Sequence, residues 1–342
     1  MPKKALVMSG GGARGAFQLG AVDYLINDLD LDFDVISGVS VGSLNAVMLA
    51  QGKGPDGLKQ QLAVLKQIWL TIEGNDDIYK KRFLGELLVF ILNDSIYNPE
   101  PIKEKINARV SEARLRDSGR EFRIGAVSLD SGRYRVIDQN DSSIADWVLA
   151  SSSMPVFFPP VTVGSDHAVD GGVRNITPLA ESFRALKKVE PCTVGPQEEH
   201  EIYVLLASPL GVGSEAGTKW CPGLAIAERA VDLLTNEIFL EDLSYAIAVN
   251  DSVRAHAATH KLLSDRGQLD QVAQQLLDTF PFRVPDYCPV TIKTIVPNTK
   301  YMDDLEFDPA KIRTAYNAGR QAAESDILTE DEVKERLKAL DH

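Results

Sequence analysis

The sequence predicts an α/β fold on a mostly parallel sheet, and three observations carry that expectation. Ala5 to Ser9 is a short apolar run that reads as a buried strand, closed by the tight turn Gly10-Gly11-Gly12-Ala13-Arg14-Gly15. Ala16 to Leu29 then sets Phe17, Val22, Leu25, Ile26 and Leu29 on a roughly 3.6-residue period, the spacing of one helix face. The unit repeats, with Val35-Ile36-Ser37 as a second strand and Ser43 to Gln51 as a second helix. Strand, glycine turn and helix in succession is the grammar of parallel strands joined by helical crossovers.

The remaining elements follow from the same patterns. Strands are expected at Phe122 to Leu129, Tyr134 to Asp138, Thr162 to Val163 and Glu201 to Ala207. Helices are expected over Gly57 to Ile72, Ile102 to Leu115, Ser142 to Ser152 and Pro222 to Ser252. Val189 to His200 and Gly211 to Gly217 read as surface loops, the second following a strand and flanking the site. Thr329 and Glu332 form a capping box ahead of Val333, Leu337 and Leu340. No internal repeat or low-complexity linker divides the chain. Residues 1–306 therefore read as one domain and 307–342 as a helical extension packed on it.

Composition narrows the function. A chain of 342 residues can bury a large core without staples. A net charge of -13 and a pI near 4.9 exclude the basic stripe that nucleic acid requires, and any broad attraction to anionic lipid. Cys192, Cys221 and Cys288 are too few and scattered for a disulfide framework or a zinc site, and read as ordinary cysteines of a reducing compartment. The apolar run Ala5 to Met8 is too short for a signal-peptide core. No stretch approaches the roughly 18 apolar residues of a membrane span. A soluble cytoplasmic protein is the expectation.

Gly38-Val39-Ser40-Val41-Gly42 is a nucleophile-elbow pattern. Such an elbow sets serine on a sharp strand-to-helix turn. Small residues on either side avoid clashes, and the helix N-terminus directs partial positive charge at the hydroxyl. The bland alternative is a serine that only caps a helix. The glycine run also has two readings. It matches the dinucleotide fingerprint, with Asp34 near the expected acidic position about 20 residues on. Asp34, however, precedes its strand rather than ending it. The other reading uses the same backbone N–H groups as an oxyanion hole made by Gly10, Gly11 and Gly12, with Arg14 beside it.

A serine nucleophile needs a base. His167, His200, His256, His260 and His342 have no motif around them. His256 and His260 lie four apart but lack the glutamate of a metalloprotease, and read as helix-surface residues. Asp170 is better placed. It follows the apolar pair Ala168-Val169 and precedes Gly171-Gly172, and partial burial would raise its pKa towards the working range. Taken alone, Asp-Gly is more often a β-turn.

Jointly these residues resemble the patatin-like phospholipases. The resemblance rests on Ser9 to Gly15, Gly38 to Gly42, Ala150-Ser151-Ser152-Ser153-Met154-Pro155-Val156-Phe157-Phe158-Pro159-Pro160, and Asp170-Gly171-Gly172-Val173 with Asn175-Ile176-Thr177-Pro178. It covers about the first half of the chain. Some members carry Asp where Ser9 stands. The resemblance implies a three-layer α/β/α sandwich and a Ser–Asp dyad, with Ser40 as nucleophile and Asp170 as general base. It also implies hydrolysis of fatty-acyl esters of phospholipid or lysophospholipid without metal or cofactor. The Ala150 to Pro160 block would support the site as structure. Acyl transfer or thioester hydrolysis on the same dyad is the nearest alternative; a nucleotide-binding module is the more distant one. Tyr79-Lys80-Lys81-Arg82, running into the apolar Phe83 to Leu92, matches either a buried helix or a peripheral membrane anchor over the acyl channel.

Overall fold

A computed structural model describes residues 2–81, 95–192, 198–211, 223–284 and 286–340. Among them the central sheet is built from β1 (Lys4–Met8), β2 (Val35–Val39), β3 (Glu121–Ser128), β4 (Tyr134–Asp138), β5 (Val161–Val163), β6 (Asp166–Asp170), β7 (His200–Leu205) and β8 (Val290–Ile295). The order is β8-β7-β1-β2-β3-β6-β5, with β4 also paired to β3. From β8 through β3 every neighbour is parallel. The pairings of β3 with β4 and β6, and of β6 with β5, are antiparallel.

The helices are α1 (Gly15–Asp23), α2 (Val41–Ala50), α3 (Gly54–Leu70), α4 (Glu100–Arg109), α5 (Glu112–Asp117), α6 (Ile144–Ser151), α7 (Leu179–Val189), α8 (Gly223–Asp265), α9 (Gln271–Leu277), α10 (Pro309–Ser325) and α11 (Glu330–Leu340). Strand alternation sorts them into two layers. On β1, Leu6 and Met8 enter a core with Phe17 and Leu25 of the α1 region, Leu49 of α2 and Ile312 of α10. Ala5 and Val7 enter a second core with Phe183 of α7, Leu243 of α8 and Val333 of α11. The result is a three-layer α/β/α sandwich. Each large apolar side chain fully buried this way contributes roughly 1.5–3 kcal/mol.

Helix α10 packs along α1 around a buried carboxylate. Asp23 accepts hydrogen bonds from Lys66 of α3 at 2.9 Å, Arg320 of α10 at 2.8 Å, and the Tyr316 hydroxyl. Burial opposes its charge, but Tyr316, Lys66 and Asn27 together hold its pKa below the usual carboxylate value.

Several elements differ from expectation. The first helix begins at Gly15 and continues beyond Asp23 as a π-helical turn, Tyr24–Asp28. The single helix expected over Ile102 to Leu115 is two, because Ser111 caps the second and its Oγ accepts the Arg114 N–H at 3.4 Å. The helix expected to end at Ser252 runs to Asp265. Strand β8 was not expected at all. His256 is buried rather than on the surface, packed edge-on against Phe280.

The reading of the cysteines as unpaired is corrected: Cys192 and Cys288 form a disulfide, their Cα atoms 5.5 Å apart. The physical reason is the sheet. Cys192 and Cys288 precede β7 and β8, which lie side by side with His200 opposite Val290. Nothing in a sequence separation of 96 announces that pairing. None of the described helices is long and apolar enough to cross a membrane.

Candidate active site

Ser40 occupies the junction between β2 and α2 with φ 55° and ψ -127°, a backbone conformation that side-chain-bearing residues rarely adopt. Two close approaches make the turn possible. A Cβ on Gly38 would overlap the Gly42 carbonyl, and one on Gly42 would overlap the Met8 carbonyl. The turn is tied on both sides. The Ser40 carbonyl accepts the Ser43 N–H at 2.9 Å and the Ser43 hydroxyl at 2.7 Å. The Ser40 N–H donates to Ser151 Oγ at 3.2 Å, and that hydroxyl donates to the Gly125 carbonyl at 2.6 Å. Ser151 thus places the serine-rich block beneath the elbow.

Asp170 ends β6 and lies in the same cleft as Ser40. Its N–H donates to the Ser153 carbonyl at 3.0 Å. Its Oδ1 accepts the Gly172 N–H at 2.8 Å, while the buried Oδ2 accepts no close hydrogen bond among the described residues. Burial pushes this carboxyl up to about 7, with the Ser40 hydroxyl and the Gly172 N–H pulling it back down. A carboxylate with one oxygen in no close hydrogen bond, near-neutral affinity for a proton and a serine hydroxyl beside it has the equipment of a general base.

The glycine run lines the other side of that cleft. The Gly10 N–H donates to the Ile176 carbonyl at 3.1 Å, and the Ala13 N–H to the Asp304 carbonyl at 2.7 Å. The N–H groups of Gly11 and Gly12 make no hydrogen bond among the described residues. Gly12 has φ 51°, and a Cβ there would overlap the Asp304 carbonyl. Arg14 is buried. Its guanidinium pairs with Asp232 at 3.2 Å and with Asp304, and its Nε donates to the Gly11 carbonyl at 3.4 Å. In this arrangement Arg14 holds the loop's shape.

One contributor has no signal in the sequence. Asp242 of α8 accepts the N–H groups of Ile176 and Thr177 on Oδ2, both at 3.1 Å. Ile176 in turn receives the Gly10 N–H, so Asp242 fixes the segment on which the glycine run leans. Burial raises the Asp242 carboxyl to about 7, and the two N–H bonds pull it down.

Other candidates lie elsewhere. No histidine lines the space around Ser40 among the described residues. His167 faces Asp130 at the surface, 3.1 Å away. Asp34 sits at the far end of β2 from Ser40 and accepts the Lys4 N–H at 3.0 Å.

Two compartments meet at Ser40. One is an apolar channel of about 960 Å³ including its mouth, walled by Leu44, Met48, Leu65, Trp69, Ile106 and Phe307 among others. The other is a polar cleft of about 2290 Å³ including its mouth, which holds Asp170, the glycine run and Arg14. Gly211 lines the cleft, whereas the rest of the expected flanking loop, Val212 to Gly217, lies outside the described residues. Of the suggested membrane anchor, Tyr79 is buried against Tyr97 and Phe158. Arg82 to Leu92 lie outside the described residues.

A family model described as patatin-like phospholipase matches residues 6–182. A cGAMP-activated phospholipase of Escherichia coli (strain TW11681) is 28% identical over an alignment of length 214 that covers 54% of this chain and 57% of the relative. The probable lipid hydrolase 463L of Invertebrate iridescent virus 6 is 25% identical over an alignment of length 185 that covers 52% of this chain and 62% of the relative. The chain thus spans less than two thirds of the length of either. Among solved structures, VipD from Legionella pneumophila aligns with 96% of this chain and 68% of its own at 14% identity and TM-score 0.39. The complex of SpcU with ExoU from Pseudomonas aeruginosa aligns with 81% of this chain and 60% of that chain at 18% identity and TM-score 0.32. With its family pattern spanning β1 to α7, the chain belongs to the patatin-like phospholipase family.

Proposed function

We propose that the chain hydrolyses fatty-acyl esters of lipids through a Ser40–Asp170 dyad and an acyl-enzyme. The observation that carries this reading is the buried Asp170 carboxyl, raised to about 7 and with no close hydrogen bond to Oδ2 among the described residues, in one cleft with a strained elbow serine. Asp170 takes the Ser40 proton as Oγ attacks the ester carbonyl. The oxyanion is held by the two unengaged N–H groups, Gly11 and Gly12. Donors of that kind are worth about 3–4 kcal/mol each when preorganised. Collapse of the intermediate releases the alcohol, which leaves with the proton from Asp170. Water then loses a proton to Asp170, attacks the acyl group and frees the fatty acid, and Ser40 recovers its proton. The apolar channel takes the acyl chain. Gly10 and Arg14 support the hole through Ile176, Asp232 and Asp304 rather than by direct donation.

The test is labelling with a fluorophosphonate probe together with ester turnover, on wild type, Ser40→Ala and Asp170→Asn. Because one relative is named as cGAMP-activated, each assay is run with and without cGAMP. Labelling and turnover that vanish in Ser40→Ala, with turnover lost in Asp170→Asn, support the dyad. Wild type inert to probe and esters in both conditions removes it.

A further inference from the structure

We propose that the polar cleft selects a lipid head of zero net charge, zwitterionic or uncharged, and discriminates against an anionic one. The proposal rests on the acyl-hydrolase reading above and adds the class of head group. The channel and the cleft share Gly12, Ser40, Ser152, Phe158, Asp304 and Leu305 as common lining. An ester seated at Ser40 with its hydrocarbon in the channel therefore projects its head into the cleft.

The cleft's cations are already engaged. Its described basic residues are Arg14, Arg229 and Lys300, set against Asp170, Asp232, Asp303 and Asp304. Arg14 contacts both Asp232 and Asp304. Lys300 contacts Asp232 at 3.0 Å and Asp303 at 2.7 Å. Arg229 is not free either. An anionic head would have to bind without a counter-charge, or draw a cation from its carboxylates. Taking Arg14 from Asp232 would strand a largely buried charge, the costly half of any broken ion pair. A zwitterionic head brings its own ammonium, and Asp303, with a 75% exposed side chain at the rim, can meet it through Oδ2 while Oδ1 stays on Lys300. An uncharged glycerol head finds hydroxyl and amide partners in Ser208, Thr235 and Asn236. The chain's net charge of -13 acts in the same direction at longer range.

The test separates binding from turnover. Full-length Ser40→Ala is titrated calorimetrically with monomeric lysophosphatidylcholine, lysophosphatidylglycerol and monoacylglycerol of one acyl chain. The choline and glycerol-ester ligands should bind roughly two- to fivefold tighter than the anionic one, the scale of one unfavourable exposed charge contact. Asp303→Lys, a change at an exposed rim position, should close that gap. Equal or tighter binding of lysophosphatidylglycerol overturns the proposal, and so does failure of all three to bind. Wild-type turnover of the same lipids tests the underlying reading on its own. No hydrolysis of any of them, with or without cGAMP, retires the hydrolase, whereas hydrolysis blind to head charge retires only the head-group assignment.

Discussion

The two members of the proposed dyad are positioned by opposite means. Ser40 is aimed chiefly by its immediate chain neighbours, with Ser151 holding its N–H from below. Gly38, Gly42 and Ser43 make the turn, and the strain at φ 55° is paid locally by the helix that follows. Asp170 ends its strand at φ -49° and ψ 131°, with no left-handed backbone, and its chemistry comes chiefly from elsewhere. Ser153 holds its N–H, and full burial under other elements sets its proton affinity. A nucleophile needs a direction, which a backbone turn supplies. A base needs a pKa, which only a surrounding fold supplies.

Breaking the base should show this most strongly. Asp170→Asn should reduce turnover roughly 10²- to 10⁴-fold, the range of general-base catalysis. It should also stabilise the protein at high pH. A carboxyl raised from 3.8 to about 7 binds its proton more tightly folded than unfolded, so stability is lost as pH rises from about 4 through 7. The ceiling on that loss is about 4 kcal/mol. A melting-temperature gain for Asp170→Asn at pH 8, absent at pH 4, is the expected signature. No gain at pH 8 would mean that burial does not set the proton affinity of Asp170.

Breaking the elbow should act on stability in the other direction. Gly42→Ala forces a Cβ into the Met8 carbonyl and should lower stability by about 1–3 kcal/mol or more in urea unfolding. An unchanged midpoint would show that the turn relaxes freely. Asp242→Ala is milder. Two N–H groups lose their acceptor, and kcat should fall roughly tenfold with KM unchanged. Asp242→Asn keeps an oxygen in place and should restore most of the rate, whereas equal loss in both variants would point to charge rather than positioning. The smallest effect is on wild type itself. kcat/KM should rise with pH to a plateau with a midpoint near 7, and a midpoint near 4 would move the base role away from Asp170.

The same contrast explains what the sequence disclosed. The opening strands and helices, the elbow and the glycine run are short-range patterns, readable from alternation, periodicity and glycine placement. The support given by Ser151 was legible only through the family resemblance. Strand β8 does carry an alternation, Val290, Ile292 and the polar residues between them, but it lacks the glycine turn and helix that announced the earlier strands. Asp232, Asp242 and Asp304 reach the site from residues far along the chain, and no local pattern marks an aspartate on a long helix as a partner of a backbone N–H 66 positions earlier. Gly10 and Arg14 are in the right loop, yet only three-dimensional contacts reveal that their donors are already engaged.

The bond between Cys192 and Cys288 makes a covalent ring of the chain between them. That ring contains β7 and the whole of α8, the helix whose Asp232 and Asp242 reach the glycine loop and the segment after Asp170. A single protease cut in the turn between α8 and α9 would therefore release no fragment. The nicked protein would migrate as one species until a reductant is added, and would keep α8 joined through β7 and Cys192 to the rest of the fold beside the site it supports.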